Sequence, residues 1–192
     1  MGGGDKTLLT LGGETVLARV IARARPQVRV LALNANGDPA RFAEYGLEVV
    51  ADVVAGFAGP LAGVLTGLEW AAEFAPDCPW VASFATDAPF LPADLVARLM
   101  AAVEDEGADM ACAASAGRAH PVFGLWPVRL AGDLRRALTD EGIRKVDVWT
   151  ARYRLAVAEF AHDPVDPFFN INRPADLAKA EALHARLEDA AA

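Results

Sequence analysis

Short apolar runs alternate along the chain with longer segments in which apolar residues recur every three or four positions. The helical periodicity covers residues 15–25, 60–75, 130–138 and 174–187, and another helical pattern begins at Pro92. The short apolar runs that predict strands are residues 28–33, 47–50, 80–85, 110–114, 122–126 and 155–160. This alternation predicts an α/β fold with a doubly wound, mostly parallel sheet and some antiparallel pairing in its second half.

The most informative segment is residues 80–92. Five of its first six residues are apolar, which is typical of a strand buried on both faces of a parallel sheet. Asp87 follows that strand, at the sheet edge where open α/β folds bind ligands. One such carboxylate can hold Mg²⁺ when phosphates supply the other ligands. An aspartate that only forms a turn and caps the next helix fits the same pattern, so both interpretations stay open.

Two more polar residues follow predicted strands. Asn34 comes after residues 28–33, and Asp52 closes residues 47–50. Each residue alone is an ordinary turn former. Because the carboxyl ends of parallel strands meet at one edge, we expect both side chains to lie on the same rim as Asp87. Three polar side chains on one rim indicate a ligand site.

Glycines accompany this predicted rim at two places. The segment Met-Gly-Gly-Gly-Asp-Lys at the start is similar to the end of a phosphate loop, although it lacks the Walker A spacing. Its backbone N–H groups and Lys6 could approach phosphates, whereas a flexible start with a solvated lysine explains the segment when it is taken alone. Glycines also surround Pro60, where they would admit a phosphate or a flat ring. Gly63 and Gly67 could equally be packing glycines inside a helix.

The second half of the chain offers two further candidates. Asn170 and Asn172 precede a helix that begins at Pro174, and their spacing in an extended segment points both amides to one side. Neutral amides there could orient a substrate or a phosphate-bound metal ion. His120 stands at the entry to the apolar run 122–126, within reach of a ligand, and a satisfied structural histidine fits the position as well.

Composition argues against several classes of protein. A length of 192 residues fits one domain with a full core. The net charge of −8, without a long basic stripe, argues against a nucleic-acid partner. The apolar runs are too short to span a membrane, and no signal-peptide core follows Met1. Cys78 and Cys112 lie far apart and are expected to be free thiols in a reducing compartment, the cytoplasm.

Taken in order, these segments resemble the molybdenum cofactor guanylyltransferases, the MobA-type branch of the nucleotidyltransferases. The matching stretches are residues 1–6 with 8–13, 34–36, Asp52, 59–63, 86–92, 120–121 with 125–126, and 170–174. Their shared order is more specific than any one of them. The resemblance implies a Rossmann-like nucleotidyltransferase fold in a single domain, 1–192. Residues 1–105 would mainly bind the nucleotide and residues 106–192 mainly the acceptor.

The resemblance also implies an activity, which is Mg²⁺-dependent transfer of GMP from GTP to the phosphate of molybdopterin, with release of pyrophosphate. It assigns catalysis to Lys6 and Asp87, nucleotide binding to Lys6, Asn34, Asp52, Gly59, Pro60 and Asp87, the metal to Asp87, and the pterin side to His120, Asn170 and Asn172. Further implied partners are an upstream molybdenum-insertion protein and molybdoenzyme chaperones. Neither nucleic acid nor membrane is expected.

The resemblance is incomplete at the start of the chain. Family members carry a buried strand and a Leu-Ala-Gly-Gly-x-x-x-Arg stretch ahead of the segment that matches Met1. We therefore expect Met1 to be an internal methionine, or else a sheet that lacks the family's first strand. Two other interpretations stay open. One is a nucleotidyltransferase that uses another nucleotide or acceptor, such as CMP for the same cofactor, and the other is a non-catalytic cofactor-binding module.

Overall fold

The first elements are a small hairpin and a helix. In the computed structural model, which describes residues 6–56 and 59–191, Thr10–Leu11 (β1) pairs antiparallel with Glu14–Thr15 (β2), and Val16–Ala24 (α1) follows. Gly12 and Gly13 form the turn with φ values of 57° and 86°, which glycine adopts without strain. The Thr15 hydroxyl accepts a hydrogen bond from Ala18 N at 3.1 Å and so caps α1. The helix predicted at residues 15–25 is confirmed, and the hairpin before it was not predicted.

Ala32–Asn34 (β3) and Glu48–Val50 (β4) form a separate parallel pair, in which Asn34 lies opposite Val50. A 3-10 helix, Pro39–Tyr45, connects them. The predicted strand 28–33 is wrong at its beginning, because residues 28–31 line a cavity and have no neighbouring strand among the described residues.

Pro60–Phe74 (α2), Trp80–Ser83 (β5) and Leu95–Glu106 (α3) follow in the predicted order. The N-cap of α3 is Asp94, so this helix begins after Pro92 and not at it. α2 packs closely on β5, since a Cβ atom at Gly67 would lie 3.3 Å from Val81 Cγ1.

The main sheet is completed by Met110–Ser115 (β6), Arg118–Pro127 (β7) and Leu155–Phe160 (β8), in the order β5–β7–β6–β8. β7 is antiparallel to β5 and to β6, whereas β6 and β8 are parallel. β5, β6 and β8 therefore run in the same direction, and β7 is the reversed strand of this sheet. The α/β sheet with antiparallel pairing in its second half is confirmed.

β7 contains a bulge that shifts its pairing with β6. Cys112 pairs with Gly124, but the next residue, Ala113, pairs with His120, so residues 121–123 have no partner on β6. Pro121 lacks an N–H group and is tolerated at such a bulge. The Ser83 hydroxyl donates to Val122 O at 2.6 Å, which links the bulge to β5.

Helices cover both faces of this sheet. Ala131–Thr139 (α4) and Val146–Thr150 (α5) join α2 around a core that includes the fully buried rings of Trp126 and Trp149. α3 covers the other core cluster, and Pro174–Ala191 (α6) closes the described chain over β1. Within the described ranges, none of the helices is both long enough and apolar enough to cross a membrane.

A cavity of about 750 Å³ separates β3 from β5. In the described residues, β3 pairs only with β4 and β5 only with β7, and residues of both β3 and β5 line the cavity. Trp70 of α2 and Met100 of α3 form part of the walls. All four residues of β5 are only partly buried for this reason, although their sequence is that of a core strand. Within the described residues, β3 and β5 therefore border this cavity with no strand assigned between them.

Candidate active site

The residues at the carboxyl ends of three strands line the cavity. Asn34 is the last residue of β3, Asp52 follows β4, and Asp87 follows β5. All three residues line the cavity. The three residues predicted from the strand ends therefore border one cavity, and their role in binding a ligand stays a prediction.

Two amides hold the Asp52 carboxylate. Asn34 Nδ2 donates to Asp52 Oδ1 at 3.0 Å, and Asn36 Nδ2 donates to Asp52 Oδ2 at 2.8 Å. Asn36 Oδ1 also accepts from Asp52 N at 2.9 Å. A carboxylate has about four lone-pair positions, so lone pairs remain for a ligand after the two amides have donated.

Sequence reasoning assigned no role to Asn36, although its spacing from Asn34 was a usable signal. Residues two apart in an extended segment point to the same side. In the structure both amides reach the same carboxylate. Asn36 therefore acts on the site through Asp52.

The glycines in α2 are packing glycines. A Cβ atom at Gly63 would lie only 2.7 Å from Asn34 Oδ1, closer than real Cβ contacts come. Gly63 thus allows the Asn34 side chain to lie against the helix. Thr66, one turn further on, accepts from Val53 N at 3.1 Å and so ties the segment after Asp52 to α2.

The beginning of α2 also belongs to the cavity wall, through Gly59 and Pro60. In the first turn of a helix, N–H groups that lack an intrahelical acceptor can bind an anion. Pro60 has no N–H group and Ala62 N donates to Gly59 O at 3.2 Å, so the N–H groups of Gly59 and Leu61 are the candidates here. Lys6 begins a 3-10 turn, Lys6–Leu8, and its side chain lies outside the described part of the structure, as do residues 1–5. The predicted phosphate contact of Lys6 therefore stays a prediction.

Asp87 does not cap the following helix, because the N-cap of α3 is Asp94. The capping interpretation is therefore wrong. The Asp87 carbonyl oxygen accepts a hydrogen bond from Ile171 N at 2.9 Å, which brings the segment containing Asn170 to the end of β5. Asp87 and Asn170 both line the cavity.

Asn170 carries an unpaired polar atom. Its Oδ1 is buried and has no hydrogen-bond partner among the described residues. A buried acceptor without a donor is costly, so this oxygen suits a hydrogen-bond donor or a hard cation. The described residues contain no cluster of three or more His, Cys, Asp or Glu side chains that could hold a metal ion. A cation here would need most of its ligands from a substrate.

Asn172 differs from Asn170 in its position relative to the cavity. Asn172 is exposed and does not line the cavity, and its backbone N–H donates to Asp176 Oδ2 at 3.1 Å. Arg173 N donates to the same oxygen at 3.0 Å, so Asp176 fixes the start of α6.

His120 does not line the cavity, and it packs against the segment that carries Asn170. Its Nε2 is 2.8 Å from Ser115 Oγ, and the hydroxyl of Ser115 donates to Asp166 Oδ1 at 2.9 Å. The His120 ring packs on Phe168 with ring centroids 4.7 Å apart. Burial lowers the pKa of His120 below its usual value, and the Asp166 carboxylate partly opposes this shift.

Comparison with known proteins gives close relatives along nearly the whole chain. Residues 1–154 match the family model of the MobA-like NTP transferase domain. Molybdenum cofactor guanylyltransferase from Rhodopseudomonas palustris strain HaA2 is 61% identical over 189 residues, which are 98% of this chain and 88% of that protein. The protein of the same name from Rhizobium meliloti strain 1021 is 44% identical over 192 residues, covering 97% of this chain and 88% of its own length.

Solved structures show the same fold at lower identity. Molybdopterin-guanine dinucleotide biosynthesis protein A from Archaeoglobus fulgidus has a TM-score of 0.73 at 23% identity, over 96% of this chain and 92% of its own. The CMP:2-keto-3-deoxy-manno-octonic acid synthetase complexed with CTP has a TM-score of 0.69 at 14% identity, with shares of 95% and 92%. These similarities confirm a Rossmann-like nucleotidyltransferase fold.

Proposed function

The chain belongs to the MobA-like NTP transferase family and is a nucleotidyltransferase; we propose that it transfers GMP from GTP to the phosphate of the molybdopterin cofactor. The names of its relatives, at up to 61% identity over 98% of the chain, support this activity. One structural observation carries the proposal. Asp52, oriented by two amides, and Asp87, next to Asn170, line the same cavity.

Asp52 would hold the nucleoside. Its carboxylate only accepts hydrogen bonds, and Asn34 and Asn36 fix its orientation without using all of its lone pairs. Guanine presents adjacent N–H donors at N1 and at the 2-amino group, which suit a carboxylate. Cytosine presents the N3 acceptor at the corresponding edge, which a carboxylate repels. Asp52 therefore favours GTP over CTP if it contacts the base.

The triphosphate would lie between Lys6, the first turn of α2 and Asp87. The backbone N–H groups of Gly59 and Leu61 and the ammonium group of Lys6 would offset the phosphate charge. Asp87 and the unpaired Oδ1 of Asn170 fit a divalent cation, proposed to be Mg²⁺, since both are oxygen donors at one end of the cavity. Such an ion, when bound, neutralises charge on the transferred phosphoryl group.

The reaction needs positioning more than it needs a nucleophilic side chain. An oxygen of the molybdopterin phosphate would attack the α-phosphorus of GTP, and the bond from that phosphorus to the bridging oxygen would break, which releases pyrophosphate. We place the acceptor on the side of Asn170, Asn172 and His120. Residues 1–105 would then mainly serve the nucleotide and residues 106–192 the acceptor, within one domain. Delivery to molybdoenzyme chaperones, contact with a molybdenum-insertion protein and a cytoplasmic location remain predictions from the resemblance.

Pyrophosphate release with separately varied nucleotide and acceptor tests the proposal. We expect release that requires GTP, molybdopterin and Mg²⁺ together, and that CTP supports at least about tenfold less well, equivalent to about 1.4 kcal/mol. Equal rates with CTP would contradict the proposed base preference. Binding of molybdopterin without GTP binding and without transfer would instead indicate a cofactor-binding module.

A further inference from the structure

β6 ends in a buried hydroxyl group, although the rest of the strand has apolar side chains. Ser115 is 1% exposed, and residues 110–114 are Met, Ala, Cys, Ala and Ala. Ser115 Oγ lies 2.8 Å from His120 Nε2 and 2.9 Å from Asp166 Oδ1. One buried hydroxyl therefore joins two titratable side chains, one from β7 and one from the loop between β8 and α6.

The proton positions follow from what each group can donate. A carboxylate only accepts, so the hydroxyl of Ser115 donates its single hydrogen to Asp166. The short contact with His120 then requires Nε2–H to donate to Ser115 Oγ. The neutral imidazole thus carries its proton on Nε2, and its Nδ1 is a hydrogen-bond acceptor.

Asp166 connects this cluster to the acceptor loop, defined here as residues 166–173. Asp166 Oδ1 also accepts from Phe168 N at 3.0 Å, and the Asp166 carbonyl oxygen accepts from Phe169 N at 3.1 Å. Phe168 is buried and packs against the His120 ring. At the other end of the acceptor loop, Ile171 N donates to Asp87 O. The loop is therefore held at β6 and at the end of β5.

We infer that Ser115 and Asp166 are positioning residues for the acceptor substrate. They hold the acceptor loop so that Asn170 stays in the cavity wall beside Asp87, and they fix the tautomer of His120. The inference rests on the proposed function, because the acceptor is the molybdopterin cofactor. Neither residue touches the reacting atoms. Their removal therefore affects the acceptor loop, which carries Asn170, and leaves Asp52 with its two amide partners at the nucleotide end unchanged.

Thr150 in α5 provides a matched control. It is also buried, with 3% exposure, and its hydroxyl donates to Asp147 O at 3.3 Å. Its neighbours in α5 belong to the other core cluster, on the opposite face of the sheet from Phe168. Thr150→Ala and Ser115→Ala each remove one buried, hydrogen-bonded hydroxyl, so we expect similar falls in Tm, about 2–4 °C.

Steady-state transfer by the whole chain, with GTP and molybdopterin varied separately, tests the inference. We expect Ser115→Ala to lower kcat/KM for molybdopterin about tenfold, while the Kd for GTP, measured without Mg²⁺ so that the proposed metal ligand Asn170 does not contribute, stays within about twofold. Asp166→Ala should have the same effect, and Asp166→Asn should recover most of the loss because it keeps an acceptor oxygen. Equal losses in Ser115→Ala and Thr150→Ala, or a parallel loss of GTP affinity, would overturn the inference.

The tautomer of His120 gives a second measurement that does not depend on activity. Imidazole ¹⁵N spectra of the wild type at a pH where His120 is neutral should show the proton on Nε2, with signals assigned by comparison with His120→Gln. In Ser115→Ala the two tautomers should become mixed, whereas Thr150→Ala should keep the wild-type pattern. A proton on Nδ1 in the wild type, or no change in Ser115→Ala, would contradict the proposed cluster. If the wild type transfers no GMP, the proposed function fails, and this measurement still decides whether the cluster exists.

Discussion

β3 and β6 both end at polar residues that we assign to the site, yet they are held in different ways. β6 has neighbours on both sides, β7 and β8, and all six of its residues are buried. β3 has three residues and one neighbour, β4, and it borders the cavity on its other side. The nucleotide end therefore depends on side-chain hydrogen bonds to Asp52, whereas the acceptor end combines the hydrogen bonds of Ser115 and Asp166 with a strand paired on both sides and with aromatic packing.

The largest expected effect comes from changing Asp87, where the nucleotide end and the acceptor end of the site meet. We expect Asp87→Asn to lower turnover at least about a hundredfold, or about 2.7 kcal/mol of barrier, because the amide keeps the shape and loses the charge. Thermal unfolding should be unchanged. Asp94→Asn is the control, since Asp94 is the N-cap of α3 and its side chain makes no capping bond. Turnover within about tenfold of wild type would show that the charge of Asp87 is not needed.

The second-largest expected effect comes from giving β3 a second neighbouring strand, as β6 already has. Fusing an extended apolar segment of about six residues and a glycine-rich linker ahead of Met1 should fill the cavity and pair with β3 and β5. Two buried aliphatic side chains would add about 3–6 kcal/mol to the free energy of unfolding. GTP affinity should rise as well, since Asn34 and Asp52 lie at the end of the same cavity. Thermal unfolding and calorimetry would measure both changes.

A segment of the same length with alternating lysines serves as the control for this fusion, because charged side chains are costly in an apolar cavity. Equal stability and equal GTP affinity for both fusions would show that the cavity does not accept a strand.

Asn36→Ala examines the nucleotide end alone. It removes two hydrogen bonds that orient Asp52, and we expect a Kd for GTP about tenfold higher, with the KM for molybdopterin little changed. Asp38→Ala disturbs the same loop by removing the bond from Ala40 N, but leaves Asp52 untouched. An equal loss in Asp38→Ala would indicate loop disorder as the cause.

Asn172→Ala is the counterpart at the acceptor end. We expect a fall of about fivefold in transfer to molybdopterin with unchanged GTP affinity, because the exposed amide of Asn172 belongs to the acceptor loop. Arg173→Ala, at the neighbouring exposed position, is the control. Calorimetry and pyrophosphate release on the same samples separate the two quantities, and a matching loss of GTP affinity would move Asn172 to the nucleotide side.

The smallest effect concerns pH. Burial lowers the pKa of His120 below its ordinary value of 6.5, so between that value and the lower folded pKa the unfolded chain binds more protons. Stability from this group is therefore present above 6.5 and is lost as the pH falls through that window. His120→Gln should flatten this part of the profile of Tm against pH. An unchanged slope would assign the pH dependence to other groups.

The sequence predicted the rim better than the acceptor end, for a physical reason. Asn34, Asp52 and Asp87 each follow an apolar run, and parallel strands bring such positions together whatever the details of packing. The Ser115–His120 contact depends on the bulge at residues 121–123, which sets the register of β7 against β6 and leaves no periodic signal.

Other differences have similar local causes. Residues 28–31 have the composition of a strand, but no strand pairs with them in the part of the chain that the structure describes, and composition alone does not reveal which segments find a partner. α5 contains only five residues, too few for a helical period to stand out. The β1–β2 hairpin could have been predicted from the sequence, because Gly12-Gly13 between short strands is a recognised turn signal.

The open edges of β3 and β5 have a consequence for exchange of amide hydrogens with solvent. Within residues 6–56 and 59–191, no strand is assigned that would pair with the cavity-facing N–H groups of β3 and β5 and slow their exchange, whereas β6 lies between two partners and is buried along its length. In deuterated water, β6 should retain its amide hydrogens longest, and residues 28–31 should lose theirs early. The two halves of the site would then differ in how often they open locally as well as in structure. β6, which supports the acceptor loop, would open rarely, and the backbone around the nucleotide rim would open often.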